Sequence, residues 1–114
     1  MLSIDSLKEY GADVEEALTR CFNNEDFYLK LVNMILQEPS FDALNKALEE
    51  HNLGAAFEAA HGLKGVCANL ALTPILEPVK EITELLRSKT EMDYGPLLEK
   101  INNEKAKLEK LIKE

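Results

Sequence analysis

The chain lacks tryptophan, carries only two cysteines, and has no apolar run near the roughly 18 residues that a membrane-spanning helix requires. Each shortage narrows the field. Without a long apolar run the chain reads as an ordinary globular protein, and no membrane partner is expected. The opening MLSIDSLKEYG also lacks the basic start and apolar stretch of a secretory signal, so the expected location is cytoplasmic. Cys21 and Cys67 lie far apart in sequence. One disulfide fits the count, but buried free thiols in a reducing compartment are the simpler reading. Clusters of Lys and Arg are missing too: 13 basic residues face 21 acidic ones, for a formal net charge of -8. Nucleic-acid binding depends on cations that displace counterions from phosphates, so no nucleic-acid partner is expected. The most basic stretch, NNEKAKLEKLIKE, alternates in sign and reads as the solvated face of a helix.

No repeat, low-complexity segment or Pro/Gly/Ser-rich linker divides the 114 residues. One monomeric domain over 1–114 is expected, and the initial Met and compact length favour a free-standing chain. A chain of this length buries roughly two-thirds of its unfolded surface, enough for a core without disulfide or metal staples. The apolar periodicity is helical almost throughout. A short helix is expected from Ser3 to Tyr10, closed by Gly11, and a second from Asp13 through Cys21. Asn24 can cap a longer helix with Phe27, Leu31, Met34 and Ile35 on one stripe. This first bundle helix covers about 24–51 and is interrupted at Pro39, with Ser40 capping a continuation that carries Phe41, Leu44, Ala47 and Leu48. The next helix runs over 53–71. Thr73 then reads as an N-cap with Pro74 at the first position of a helix over 74–88, which starts late or bends at Pro78. Asp93 opens the last helix, 94–113, with Leu97, Leu98, Ile101, Leu108, Leu111 and Ile112 on one stripe. Short connections force neighbours to be antiparallel. The expected fold is all-α: an up-down antiparallel four-helix bundle with short extra helices at the amino terminus.

The segment LGAAFEAAHGLKGVCANLAL, Leu53 to Leu72, carries the chemistry. On a helical wheel of about 100° per residue, Ala55, Ala56, Ala59, Leu63, Val66, Cys67 and Leu70 share one side, which must face the core. His61 lies almost opposite, with Gly54, Phe57, Glu58, Lys64, Gly65 and Ala68 around it. The histidine therefore stands on a solvent face in mid-helix, which disposes of a satisfied core histidine. Solvent-facing helix positions normally hold strong helix formers, yet here the neighbours Gly54, Gly65 and Ala68 are small. Gly62 and Gly65 together make the helix about 2 kcal/mol worse than two alanines would. A bare patch around an exposed imidazole suggests that another protein approaches the ring closely. Lys64 is a surface neighbour of His61 at i,i+3, and its ammonium could offset a phosphoryl charge of nearly −2. A mid-helix site cannot borrow the positive helix end that usually serves phosphates, so a side-chain cation is the natural substitute.

Other readings of the same residues are weaker. Phe57 could dock a partner or be covered by the short amino-terminal helices. Glu58 and His61 have the Glu-x-x-His spacing of a di-iron bundle, but that site needs two such motifs and two further inward glutamates. The only other histidine, His51, has Leu48 at the required place, and His61 points outward. His51 reads as a surface group near a helix end, and Cys67 as a small packed thiol on the core face.

His61-Gly62-Leu63-Lys64-Gly65 resembles the H-x-L-K-G signature of histidine-containing phosphotransfer (HPt) domains. The resemblance extends to Ala60, to Ala68-Asn69-Leu70, and to Leu18, Arg20, Glu25 and Tyr28 in introductory helices, so it covers essentially the whole chain. It implies a phosphoryl carrier, not a turnover enzyme, in a multistep His–Asp phosphorelay. His61 would accept a phosphoryl group from a receiver-domain aspartate and pass it to another receiver. Lys64 would help neutralise the phosphoryl oxygens, and Gly65 would clear space for the receiver's active-site loops. The implied partners are receiver domains of response regulators or of a hybrid histidine kinase. No cofactor or metal is implied for this chain, since the Mg²⁺ belongs to the receiver. Two departures stand out. Ala71 replaces a glycine usual in the family. Lys80 and Thr83 stand where the chemotaxis-kinase version carries a histidine and a glutamate, which fits the relay type over a domain phosphorylated by its own kinase module. The alternative is a helical adaptor that binds a signalling partner without transfer, but both His61 and Lys64 are present.

Overall fold

A computed structural model describes residues 2–114. Seven α-helices follow in order: α1 (Ile4–Tyr10), α2 (Val14–Arg20), α3 (Glu25–Asn33), α4 (Ser40–Glu49), α5 (Leu53–Asn69), α6 (Thr73–Arg87) and α7 (Gly95–Lys113), with a 3₁₀ turn over Met34–Gln37 between α3 and α4. Among the described residues there is no strand, so the all-α expectation holds. Polar caps set most starts. Ser3 and Ser6 cap each other's backbone reciprocally, while Asp13, Asn24 and Asn52 accept from Glu16 N, Phe27 N and Ala55 N at 3.2, 3.0 and 3.1 Å. Each satisfies an amide that the first helical turn leaves without a partner.

Three expected starts are corrected. Ser40 is the first residue of α4, not its cap, and its hydroxyl donates to Glu38. Thr73 lies inside α6, which begins there and continues through Pro78 without a late start. Asp93 stands two residues before α7 and accepts from Gly95 N at 2.8 Å. The interruption near Pro39 is also wider than one residue, because the chain leaves α-helical geometry from Met34 onward.

The helix ends share one device. Gly11 closes α1 with φ 112°, the left-handed region that glycine enters without strain. His51, Ala71 and Lys89 take φ of 55°, 51° and 52° just past α4, α5 and α6. In each, the next amide reaches back into the last turn: Asn52 to Ala47, Leu72 to Cys67, Thr90 to Leu85. A non-glycine pays about 1–2 kcal/mol there. At Ala71 the methyl is buried, and its burial returns a similar amount. Replacing the family's glycine is therefore close to neutral. Lys89 is exposed and has no such compensation. Lys89→Gly is expected to stabilise the chain by about 0.5–1 kcal/mol, read as a higher urea midpoint at unchanged m-value.

Consecutive long helices pack on one another: α4 on α5, α5 on α6, α6 on α7. α7 returns to α4 through the paired amides of Asn45 and Asn102, and through Lys105, whose ammonium sits 4.8 Å from the Phe41 ring centre. One apolar core runs through the molecule and takes Leu7, Val14, Ala17, Tyr28 and Val32 from the amino-terminal helices. The expected stripe on α3 is corrected. Tyr28, Val32 and Ile35 are buried, while Phe27 and Met34 are exposed. Tyr28 turns inward because its hydroxyl finds the Leu70 carbonyl, 2.9 Å away, so the ring is buried without an orphaned polar group. Burial, reinforced by Cys21 and Asp13, pushes that phenol up to about 12.

One carboxylate is also inside. Glu104 on α7 is 5% exposed and accepts from Lys107 and Lys100 at 3.0 and 3.2 Å. Burial alone would raise its pKa, but the two lysine hydrogen bonds outweigh it and hold the carboxyl below its ordinary range. A depressed folded-state pKa adds stability above the unfolded pKa that disappears as pH falls through the folded one. Glu104→Gln is therefore expected to cost about 1 kcal/mol at neutral pH. In urea titrations across pH, that gap to the wild type should close once the medium is more acidic than the ordinary carboxylate range.

Candidate functional site

The site is built on the middle of α5. Its buried face is Ala56, Ala59, Ala60, Leu63, Cys67 and Leu70. Compared with the wheel, the core stripe is turned toward Ala60: Ala55 is exposed and Val66 half-buried. His61 still falls opposite the core and is exposed. Its ring stacks on Phe57, one turn earlier, with centroids 5.8 Å apart and planes inclined by 20°. Residues four apart on a helix lie one above the other, so the stack follows from spacing alone.

The surrounding residues divide into an open and a furnished flank. Gly54, Glu58 and Gly65 are exposed. A Cβ at Gly65 would meet nothing within 4 Å, whereas one at Gly62 would come 3.3 Å from the Ser40 hydroxyl on α4. Gly62 thus has a packing reason inside the chain and Gly65 has none. On the other flank Phe57, Lys64 and Ala68 are half-buried. The Arg87 guanidinium carbon lies 5.1 Å from the Phe57 ring centre. Lys64 Nζ stands 3.9 Å from Glu84 Oε1, and Arg87 Nε 3.2 Å from Glu84 Oε2. Arg20 at the end of α2 donates to the Ala68 carbonyl and to Glu16.

Phe57 is therefore neither bare nor roofed by the amino-terminal helices. Those helices meet the far end of α5, through Arg20 at Ala68, Tyr28 at Leu70 and the Asp13 amide at Ala71. Phe57 is shielded instead by Arg87. Glu84 and Arg87 were invisible in the sequence as site residues. Their only signal is i,i+3 spacing on a solvent face, which most exposed helices show.

Beside Val66 lies a shallow groove of about 290 Å³ lined by Leu31, Met34, Ile35, Val66 and Leu70, with Glu38 and Asn69 among its walls. His51 lies before the start of α5 and pairs with Glu91 at 3.1 Å, both side chains largely exposed. Cys21 and Cys67 are free and buried. Burial, with Glu38 nearby, pushes the Cys67 thiol up to about 12, which keeps it protonated and inert near neutral pH. Among the described residues no three His, Cys, Asp or Glu side chains converge to hold a metal ion, and no helix is long and apolar enough to cross a membrane.

The family model of the Hpt domain matches residues 36–113. The chain belongs to the Hpt domain family, as the signature at His61–Gly65 implies. No curated protein and no solved structure matches it. Hpt domains are generally phosphocarrier modules; they work in phosphorelays by histidine phosphotransfer and interact there with receiver domains.

Proposed function

We propose that this chain is a histidine phosphotransfer intermediate of a multistep His–Asp phosphorelay, loaded and unloaded at His61. The observation that carries the reading is the open space over Gly65 beside an exposed imidazole. A glycine in mid-helix costs about 1 kcal/mol against alanine. Nothing within the chain needs that space, so the need lies in a visitor.

The chemistry asks little of the carrier. In the tautomer that keeps Nδ1–H, the Nε2 lone pair attacks the phosphorus of a receiver's aspartyl phosphate. The P–O bond to the aspartate breaks and its electron pair returns to the carboxylate. The ring leaves as a phosphoimidazolium that still holds its Nδ1 proton, and the reverse step loads a second receiver. In that tautomer Nε2 carries no proton to be removed, so the attack needs no dedicated base on this chain. Phosphoryl transfer has a loose transition state in most analyses, served by positioning and charge neutralisation. Lys64 supplies one cation. The Mg²⁺ belongs to the receiver, and this chain needs no cofactor of its own.

The docking patch comprises Gly65, Gly54, Phe57, Glu58 and Ala68. The apolar groove at Met34 and Val66 extends it, because exposed apolar surface beside a reactive group favours a partner's apolar face. The long helices α4 to α7 form the up-down antiparallel bundle, with residues 50–52 and 70–72 as tight links, and the chain acts as a cytoplasmic monomer. The direct test is to mix the protein with a phosphorylated receiver and Mg²⁺. Acid-labile, base-stable label mapping to His61 is the expected result. A chain that binds the receiver but never takes up label would be an adaptor, and the proposal would fall.

A further inference from the structure

One carboxylate is tied to both sides of the acceptor. Glu84 on α6 faces Lys64 through one oxygen, at 3.9 Å, and Arg87 through the other, at 3.2 Å. Lys64 is the cation next to His61 on α5. Arg87 lies over the Phe57 ring, and the same ring stacks on the imidazole. Glu84 is 60% exposed, so its ion pairs are screened and readily exchanged. The two contacts are unequal. The lysine is at the limit of an ion pair, whereas the arginine is within hydrogen-bond distance and is anchored by the aromatic ring beneath it.

We propose that Glu84 holds Lys64 in reserve while His61 is unphosphorylated, and that Arg87 keeps Glu84 back once Lys64 has turned to the phosphoryl group. The idea rests on His61 being the acceptor. Phosphorylation brings nearly two negative charges to the ring. Lys64 leaves the weaker contact for the stronger anion, and the carboxylate it abandons stays on Arg87. A negative charge fixed near the phosphoryl group raises the energy of the loaded carrier. The phosphohistidine therefore sits uphill of where Lys64 alone would place it, and a loaded carrier gives up its phosphoryl group more readily. Glu84 is a tuning residue that acts through Lys64; it does not touch the reacting atoms.

The test is the equilibrium constant for sharing one phosphoryl group between this chain and a single receiver, measured where the two proteins are mostly apart. Such a constant depends on the free phosphorylated and unphosphorylated forms, not on how the partners dock. Glu84→Gln is expected to shift it toward phosphohistidine by about three- to tenfold, and the shift should shrink to within about twofold in molar salt. Arg87→Gln is expected to move it the other way, and to lose most of that effect in the Glu84→Gln background. Glutamine is as good a helix former as glutamate on this exposed face, so the variant folds. An unchanged or lowered constant in Glu84→Gln overturns the proposal while the acceptor role stands. A wild-type chain that takes up no label at all defeats the acceptor role itself.

Discussion

His61→Gln is expected to abolish transfer, with acid-labile label from a phosphorylated receiver falling at least about a thousandfold, to background. A carboxamide keeps the size and polarity of the side chain but has no nucleophilic lone pair at the place of Nε2. The rest of the molecule should hardly notice. His61 is exposed and its one aromatic contact is Phe57 on the same helix. Glutamine is the better helix former, and surface changes of this kind usually lie within about 0.5 kcal/mol. The melting temperature and receiver affinity should stay close to those of the wild type. That combination separates loss of chemistry from loss of structure. Persistent label in this variant would place the acceptor elsewhere, and His51, paired with Glu91 and lying between α4 and α5, would be the first residue to examine.

Gly65→Gln should produce opposite signs in stability and in function. Nothing lies within 4 Å of the position a Cβ would take, so the side chain starts into open space on an exposed face. The helix loses a glycine from its interior, and denaturant unfolding should show a gain of about 1 kcal/mol. Transfer from a receiver should fall about a hundredfold, because a displacement of even one ångström at a reacting centre costs that much. A small phosphoramidate donor supplies the internal control. It releases ammonia as it transfers and needs no protein-sized clearance, so it should label His61 in the variant nearly as fast as in the wild type. If receiver transfer were unimpaired by the larger side chain, the space over Gly65 would have no functional meaning.

Much of this was readable before any coordinates, for reasons that differ by element. On α5 the alternation of alanines, leucine and cysteine against two glycines and a histidine fixes which face is outside, and an error of 20–30° in the stripe leaves His61 outside all the same. On α3 the same method fails. Phe27 and Met34 form a stripe as apolar as Tyr28 and Val32, one residue away. What decides between them is the Leu70 carbonyl, which only the folded chain presents to Tyr28. Helix ends were approximately placed, yet the left-handed backbone at His51, Ala71 and Lys89 had no glycine to announce it. Glu84 and Arg87 could not be found because their meaning arises between helices: Lys64 and Phe57 are on α5, and their partners are on α6.

The bond from Tyr28 to Leu70 has a consequence for what counts as the folding unit. The family match begins at residue 36, yet α5 is tied down at its far end by groups from before that point: the Tyr28 hydroxyl on Leu70 and the Asp13 amide on Ala71. Cutting the chain to the matched stretch would leave those carbonyls bare and strip Leu7, Val14, Ala17 and Val32 from one continuous interior. The first third of the chain is thus a buttress for the rod that bears the histidine, and an isolated piece beginning at residue 36 would hold its histidine on a loosened support.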